Sequence, residues 1–243
     1  MTYPFIEGSK KHQIGPQTTI TRIVIHGTVS PCTVGDARNV ARYFQSDTAG
    51  GLAHFVVDPG EIIQCCAEDI ACWHAPPNMD SLGVELCDPQ SGDTARWGDA
   101  AHSAMLHLAA TLVADLCHRH NVPVAYVNAA GLLAGQHGIT EHADVSAAFH
   151  QSSHTDPGAG FPMAHFISLV KAAAPVTPTP TPAPTPVNDT KDTDMATIAE
   201  LRTVVQEEVA KAMAASHAEH VLLMHGDATH PHSIDSIAKK VGA

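Results

Sequence analysis

The stretch APVTPTPTPAPTPV, residues 174 to 187, constrains the chain's folding more than any other. Each proline locks φ and removes a backbone donor, so the run cannot enter a helix interior or a central strand. Extended polyproline II is the conformation left to it, and at about 3.1 Å per residue it would reach on the order of 40 Å. A spacer of that stiffness implies that the parts on either side work separately. The sequence therefore reads as a first domain over 1–173, a Pro/Thr-rich linker over 174–193, and a small helical C-terminal module over 194–243.

The first part is long enough for one sizeable core, and 44% apolar residues overall are ordinary for a globular chain. A formal net charge of -12 argues against nucleic acid, whose phosphates reward Lys and Arg, and against an anionic membrane surface. The opening MTYPFIEGSKKHQIG has no apolar stretch after a basic start, so the expectation is no signal peptide. No uninterrupted apolar stretch of 18 residues stands out either, so no membrane span is expected and the chain is expected to begin its life in the cytoplasm. Of the six cysteines, Cys65 and Cys66 are adjacent and no CxxC pair occurs; a reduced set acting as small core hydrophobes is the expectation.

Within the first part, TRIVIHGT (21–28) is a β-branched run of the buried-strand kind. Ala37, Val40, Ala41 and Phe44 fall at helical spacing over 35–45, and Pro59-Gly60 separates HFVVD from EIIQCC as a hairpin turn. LGVELC (82–87) reads as a further strand. From Asp99, a good N-cap, to about His120, one face carries Met105, Leu108, Ala109, Leu112 and Leu116. Its His102, His107, His118 and His120 are expected to be solvated or half-buried. Together these predict an α/β fold, a mixed central β-sheet flanked by helices.

After the spacer, Ile198, Leu201, Val205, Val209 and Met213 form an apolar stripe in a helical stretch over 195–224. A lone helix cannot bury such a stripe, so it calls for self-association into a homo-oligomer or for docking on an external surface. The polar HGDATHPH (225–232) reads as a tail, although its histidines could take a metal adventitiously.

The chemistry concentrates in EHADVSAAFHQSSHTDPG, residues 141 to 158, with three histidines in thirteen residues and a closing Asp-Pro-Gly. Imidazole and carboxylate together suit zinc. His26, at the end of the buried run, admits two readings: a satisfied core histidine, or a ligand that joins a His and an Asp of this run and leaves a fourth position open. The absence of HExxH excludes a helix-borne metalloprotease site.

IVIHGT, LAHFVVDPGEIIQ, ACWHA, SLGVEL and EHADVS followed by HTDPG occur in this order. Together, over roughly residues 18 to 172, they resemble the zinc-dependent N-acetylmuramoyl-L-alanine amidases of the type 2 amidase and peptidoglycan-recognition superfamily. The resemblance implies one Zn2+ per catalytic domain, held by His26, His142 and Asp156. It also implies Glu85 as the acidic residue that activates water, and His154 in place of a Lys that steadies the oxyanion.

Three departures from the family pattern stand out. The 142–156 separation is long, which suggests that AAFHQSS bulges as a loop and leaves His150 as a competing ligand. Ala53 stands where a branch of the family has a catalytic Tyr, so proton transfer falls to Glu85. An imidazole at 154 is fully charged only below about pH 6.5 when unperturbed, which bears on the alkaline edge of activity. His54 reads as a strand residue near the site, and Trp73 and His74 as groove-lining residues that touch sugar or peptide.

The implied substrate is peptidoglycan, cut between N-acetylmuramic acid and L-alanine. With the linker and second module the arrangement is similar to a bacteriophage endolysin, made in the host cytoplasm and reaching the wall after the membrane opens. A non-catalytic peptidoglycan binder and a cytosolic recycling amidase are the alternatives.

Overall fold

The computed structural model describes residues 3–89 and 95–173. The Pro/Thr linker, the helical stretch over 195–224 and the tail at 225–232 lie outside the described residues.

Five strands form the main sheet in the order β4-β3-β6-β2-β7: β2 (Arg22–Gly27), β3 (Phe55–Val57), β4 (Ile62–Gln64), β6 (Ser81–Leu86) and β7 (Gly138–Glu141). Only β3 and β4 run antiparallel, and the hairpin between them turns at Pro59-Gly60 as the sequence predicts. β2 is buried at every residue, because parallel strands on both edges and helices on both faces leave it no solvent side. Alternation along it separates two cores. Ile23 and Ile25 belong to the large cluster with residues of α2 (Ala100–His120) and α5 (Met163–Ala173). Val24 joins Val127, Leu132, Val145 and Ala148, from the region of α3 (Ala129–Leu133) and α4 (His142–Phe149).

α1 (Asp36–Phe44) packs Ala37, Ala41 and Phe44 inward, the face that the periodicity predicts. Its N-cap, Gly35, has a positive φ of 97° and no side chain with which to cap the helix. The β3–β4 turn supplies the cap. Asp58 Oδ2 accepts from the Gly35 and Ala37 amides at 2.8 and 3.0 Å, while Oδ1 accepts from Gly60 and Glu61 at 2.7 and 2.9 Å. One buried carboxylate therefore closes the hairpin turn and the helix start together.

α2 begins at the Asp99 cap and ends at Asn121, whose positive φ of 55° terminates it. By length and composition it could cross a membrane, with a mean hydropathy of 1.3, which the sequence reading did not anticipate. In the fold it is a core helix packed on α5, with 56% of that window buried. His102 is a correction: it is buried rather than solvated, with Nδ1 2.9 Å from Asp99 and Nε2 3.3 Å from Asp88. Asp88 is also gripped through two bonds by Arg96, at 2.5 and 2.8 Å, so this buried charge is paired.

A second, two-stranded sheet pairs β1 (Gln13–Pro16) with β5 (Ile70–Cys72). Where β5 ends, the Trp73 amide donates to the His12 carbonyl and the Leu52 amide donates to the Trp73 carbonyl. These bonds fix the Trp73-His74 segment beside the main sheet.

Candidate metal centre

Register brings distant residues level. β2 and β6 are parallel neighbours with His26 opposite Glu85, so both side chains leave the same face near the carboxyl ends of the strands. On the other side of β2, Ile25 is opposite Glu141, the last residue of β7. The next residue, His142, therefore starts α4 at the level of His26. Asp156 is tied to the same point by its backbone, since its carbonyl accepts from the Ala143 amide at 3.1 Å.

The structure brings His26, His142 and Asp156 together, all buried, with one donor atom from each within 4.8 Å of the others. Asp156 Oδ2 is 3.1 Å from His26 Nδ1, and Oδ1 is 3.2 Å from His142 Nδ1. With metal–ligand bonds of about 2.0–2.1 Å, neighbouring donors on a tetrahedral zinc stand about 3.3 Å apart. The donor set and spacing fit zinc, and each ring offers its Nδ1 toward the same carboxylate.

The far nitrogens are also committed. His26 Nε2 faces His74 Nδ1 at 3.1 Å, and His74 Nε2 faces the Ser81 hydroxyl at 3.0 Å. That hydroxyl in turn donates to the Asn78 carbonyl at 2.8 Å. A chain of this kind fixes the tautomer and ring plane of a ligand histidine. His74 borders the cavity, where the sequence reading puts it, but it is buried and both its ring nitrogens are taken by His26 and Ser81. Gly83 leaves room for it, because a Cβ there would lie 2.8 Å from the His74 ring. On the second candidate ligand, His142 Nε2 is 3.3 Å from the Ser152 hydroxyl.

Electrostatics follow from enclosure. Burial works to raise the Asp156 pKa, but hydrogen bonds from His142 and His26 and their charge hold it well below the usual carboxylate range. Burial lowers His26 despite Asp156, and burial with the neighbouring imidazoles lowers His74 strongly, so both favour the neutral form that a ligand shell requires. Burial, with the Asp156 charge in support, pushes Glu85 up to about 8. The Glu85 carboxyl makes no hydrogen bond among the described residues and faces the cavity, which leaves it free to carry a proton.

His154 stacks flat on His142, ring centroids 4.5 Å apart and planes 8° apart, with Nδ1 3.4 Å from Asp156 Oδ1. At 65% side-chain exposure it sits at the mouth of the site. The expectation about the connecting loop needs correction: Ala147–Phe149 continue α4, and the irregular stretch begins at His150. His150 is the αL cap of that helix, exposed and outside the donor cluster. His54 precedes β3 by one residue and takes no part in this cluster.

These groups line a cavity of about 840 Å³ whose walls include Tyr43 and Val40 of α1, Val29 and Trp73. Trp73 is 51% exposed, edge-on to His12 with centroids 5.5 Å apart, and so presents a ring to whatever enters. Sequence reading missed the roles of Ser81 and Ser152. Neither carried a signal, since a hydroxyl behind a ligand ring has no characteristic spacing.

The fold and its cavity define an open-sheet α/β enzyme with its site at the carboxyl ends of parallel strands. Residues 16–159 match the N-acetylmuramoyl-L-alanine amidase family, and the chain belongs to it; its enzyme class is that of the amidases. No curated protein matches the sequence.

Among solved structures, the catalytic domain of XlyA is similar at 20% identity and a TM-score of 0.53, covering 70% of this chain and 99% of that one. A mutant endolysin from Bacillus subtilis gives the same values. Staphylococcus aureus hydrolase AmiA in complex with its ligand aligns at 16% identity and a TM-score of 0.54, covering 71% and 83%. At these identities the likeness is one of fold.

Proposed function

We propose that the chain hydrolyses the amide between N-acetylmuramic acid and the L-alanine of peptidoglycan, using one zinc ion held by His26, His142 and Asp156. The observation that carries this is the meeting of both histidine Nδ1 atoms on one buried carboxylate, from residues as far as 130 positions apart in sequence. When bound, zinc supplies Lewis acidity and brings the pKa of water toward about 7. Two neutral imidazoles and one carboxylate leave such a centre a net positive charge, so that acidity is retained.

The chain's own residues do the rest. Glu85, level with His26 and open to the cavity, holds its proton at neutral pH in the metal-free protein. The charge of a bound zinc would ionise it, and the carboxylate then takes the proton of the attacking water and passes it to the departing nitrogen. Proton transfer of this kind contributes roughly 10²- to 10⁴-fold. His154 has an Nε2 without a hydrogen-bond partner among the described residues and donates to the oxyanion as it develops. Asp156 and the His74–Ser81 chain hold the ligand rings in place, and Trp73 with Tyr43 offers apolar faces to sugar and peptide.

The endolysin among the structural relatives, and the Pro/Thr spacer, support a bacteriophage lysis enzyme that acts on the host wall from the cytoplasmic side. Metal analysis of the purified chain, coupled to mass spectrometry of digested peptidoglycan, tests site and bond together. The expected result is about one zinc per chain and muropeptides split between lactyl group and L-alanine. Full wall-lysing activity after exhaustive chelation, with no zinc found, would refute the proposal.

A further inference from the structure

All six cysteines are free thiols, and five are buried. Two of them meet away from the candidate metal centre. Cys66 follows β4 and Cys72 ends β5, and their sulfurs lie within 4.8 Å of each other and of a His54 ring nitrogen.

Three such groups invite a metal, but His54 is already committed. Its Nδ1 accepts the Gly83 amide at 3.1 Å, and its Nε2 lies 3.0 Å from the Ile70 carbonyl, to which it donates. Metal ligation would leave a buried backbone group unpaired. What remains is a dithiol. Cys66 Sγ also approaches the Ile70 carbonyl at 3.7 Å, and Cys72 Sγ approaches His54 Nδ1 at 3.5 Å.

We propose that Cys66 and Cys72 form a reversible intramolecular disulfide when the protein meets an oxidising thiol–disulfide pool. A disulfide needs sulfurs about 2.05 Å apart, so the two, now within 4.8 Å, must close further by side-chain rotation and movement of the loop between them. The hydrogen bond from the Cys72 thiol to the Cys66 sulfur holds Cys66 below the usual thiol value, while burial pushes Cys72 well above it. Cys66, which adjoins the half-buried Ala67 and Glu68, attacks first, whereas Cys72 sits at the end of a strand. Cys66 gives up its proton and attacks a sulfur of glutathione disulfide, expelling one glutathione thiolate. Cys72 then loses its proton and attacks the Cys66 sulfur of the mixed disulfide, expelling the second. Two protein thiols are oxidised and one glutathione disulfide is reduced to two glutathione thiols.

Both thiols are fully buried, so reaction with glutathione requires local opening of the loop between them, where Ala67 and Glu68 are half-buried and Asp69 is exposed. The crosslink would close the loop over 66–72, whose Ile70 carbonyl anchors His54 and whose end leads into Trp73 and His74. One pair would thus stiffen the segment beside the cavity only outside a reducing compartment.

The test equilibrates the full chain with mixtures of reduced and oxidised glutathione, quenches in acid, alkylates the remaining thiols and maps the peptides. The expected result is loss of two hydrogens confined to the 66–72 peptide, reversed by dithiothreitol. A rise in thermal midpoint on the order of 5 °C should accompany it and be absent from Cys66→Ser and Cys72→Ala. The peptide map of the unaltered chain stands even if a variant folds poorly. The proposal is overturned if both cysteines stay alkylatable in the oxidised pool, if either pairs elsewhere or stops at a stable glutathione adduct, or if added zinc masks both in the reduced chain.

Discussion

Replacing Glu85 by Gln should make the metal-free protein more stable and remove most of the zinc-loaded protein's activity. The wild-type carboxyl is raised from an ordinary 4.5 to about 8, first by burial and then by Asp156. The folded state therefore binds this proton more tightly than the unfolded chain does. The favourable contribution is present in full below about pH 4.5 and disappears as pH climbs through about 8. At pH 7 the shift corresponds to about 3 kcal/mol against folding. The carboxyl opens onto a water-accessible cavity, and screening there brings the expected gain on Glu85→Gln to about 1–2 kcal/mol.

The assay is urea denaturation of chelated protein at pH 4.5, 7 and 8, wild type against variant. The stability gap should be near zero in acid and widen with pH, while amidase activity of the zinc-loaded variant falls by roughly 10²- to 10⁴-fold. A gap that is constant with pH would show that the carboxyl does not titrate in this window. A variant that retains full activity would remove Glu85 from proton transfer.

His142→Ala and Asp156→Asn should each leave the purified chain with well under one zinc, measured by elemental analysis, and without amidase activity. His74→Phe keeps the ring volume but breaks the chain to His26, so zinc affinity measured by chelator competition should fall by roughly 10- to 100-fold. An unchanged affinity would leave His74 with its groove-lining role alone. His154→Lys places a side chain that stays cationic through the neutral range at the mouth of the site, and the alkaline limb of the pH–rate profile should move upward. No movement would mean that residue 154 does not serve the oxyanion.

The parts of the fold that could be read ahead were those whose residues announce their surroundings. β2 and β6 are apolar runs because both faces are covered, and α2 carries a clear cap at each end. β7 is four residues long with Ile139 as its one large apolar side chain, and its place in the sheet is decided by pairing with β2. No local pattern encodes that. α4 is only partly legible, because it begins on a candidate ligand histidine and buries only one small face. At the candidate site, residue types with metal affinity were visible. The partners of their far nitrogens were not, because Ser81 and Ser152 look like any other serine until the chain has folded.

Asp58 has a consequence of its own. It lies outside the reacting groups, yet its carboxylate joins the β3–β4 turn to the start of the helix that carries Val40 and Tyr43 into the cavity wall. The placement of that wall thus leans on a different residue from those that would bind the ion. Lineages could retune which wall fragments fit by altering this one bracket, and leave the chemical apparatus untouched.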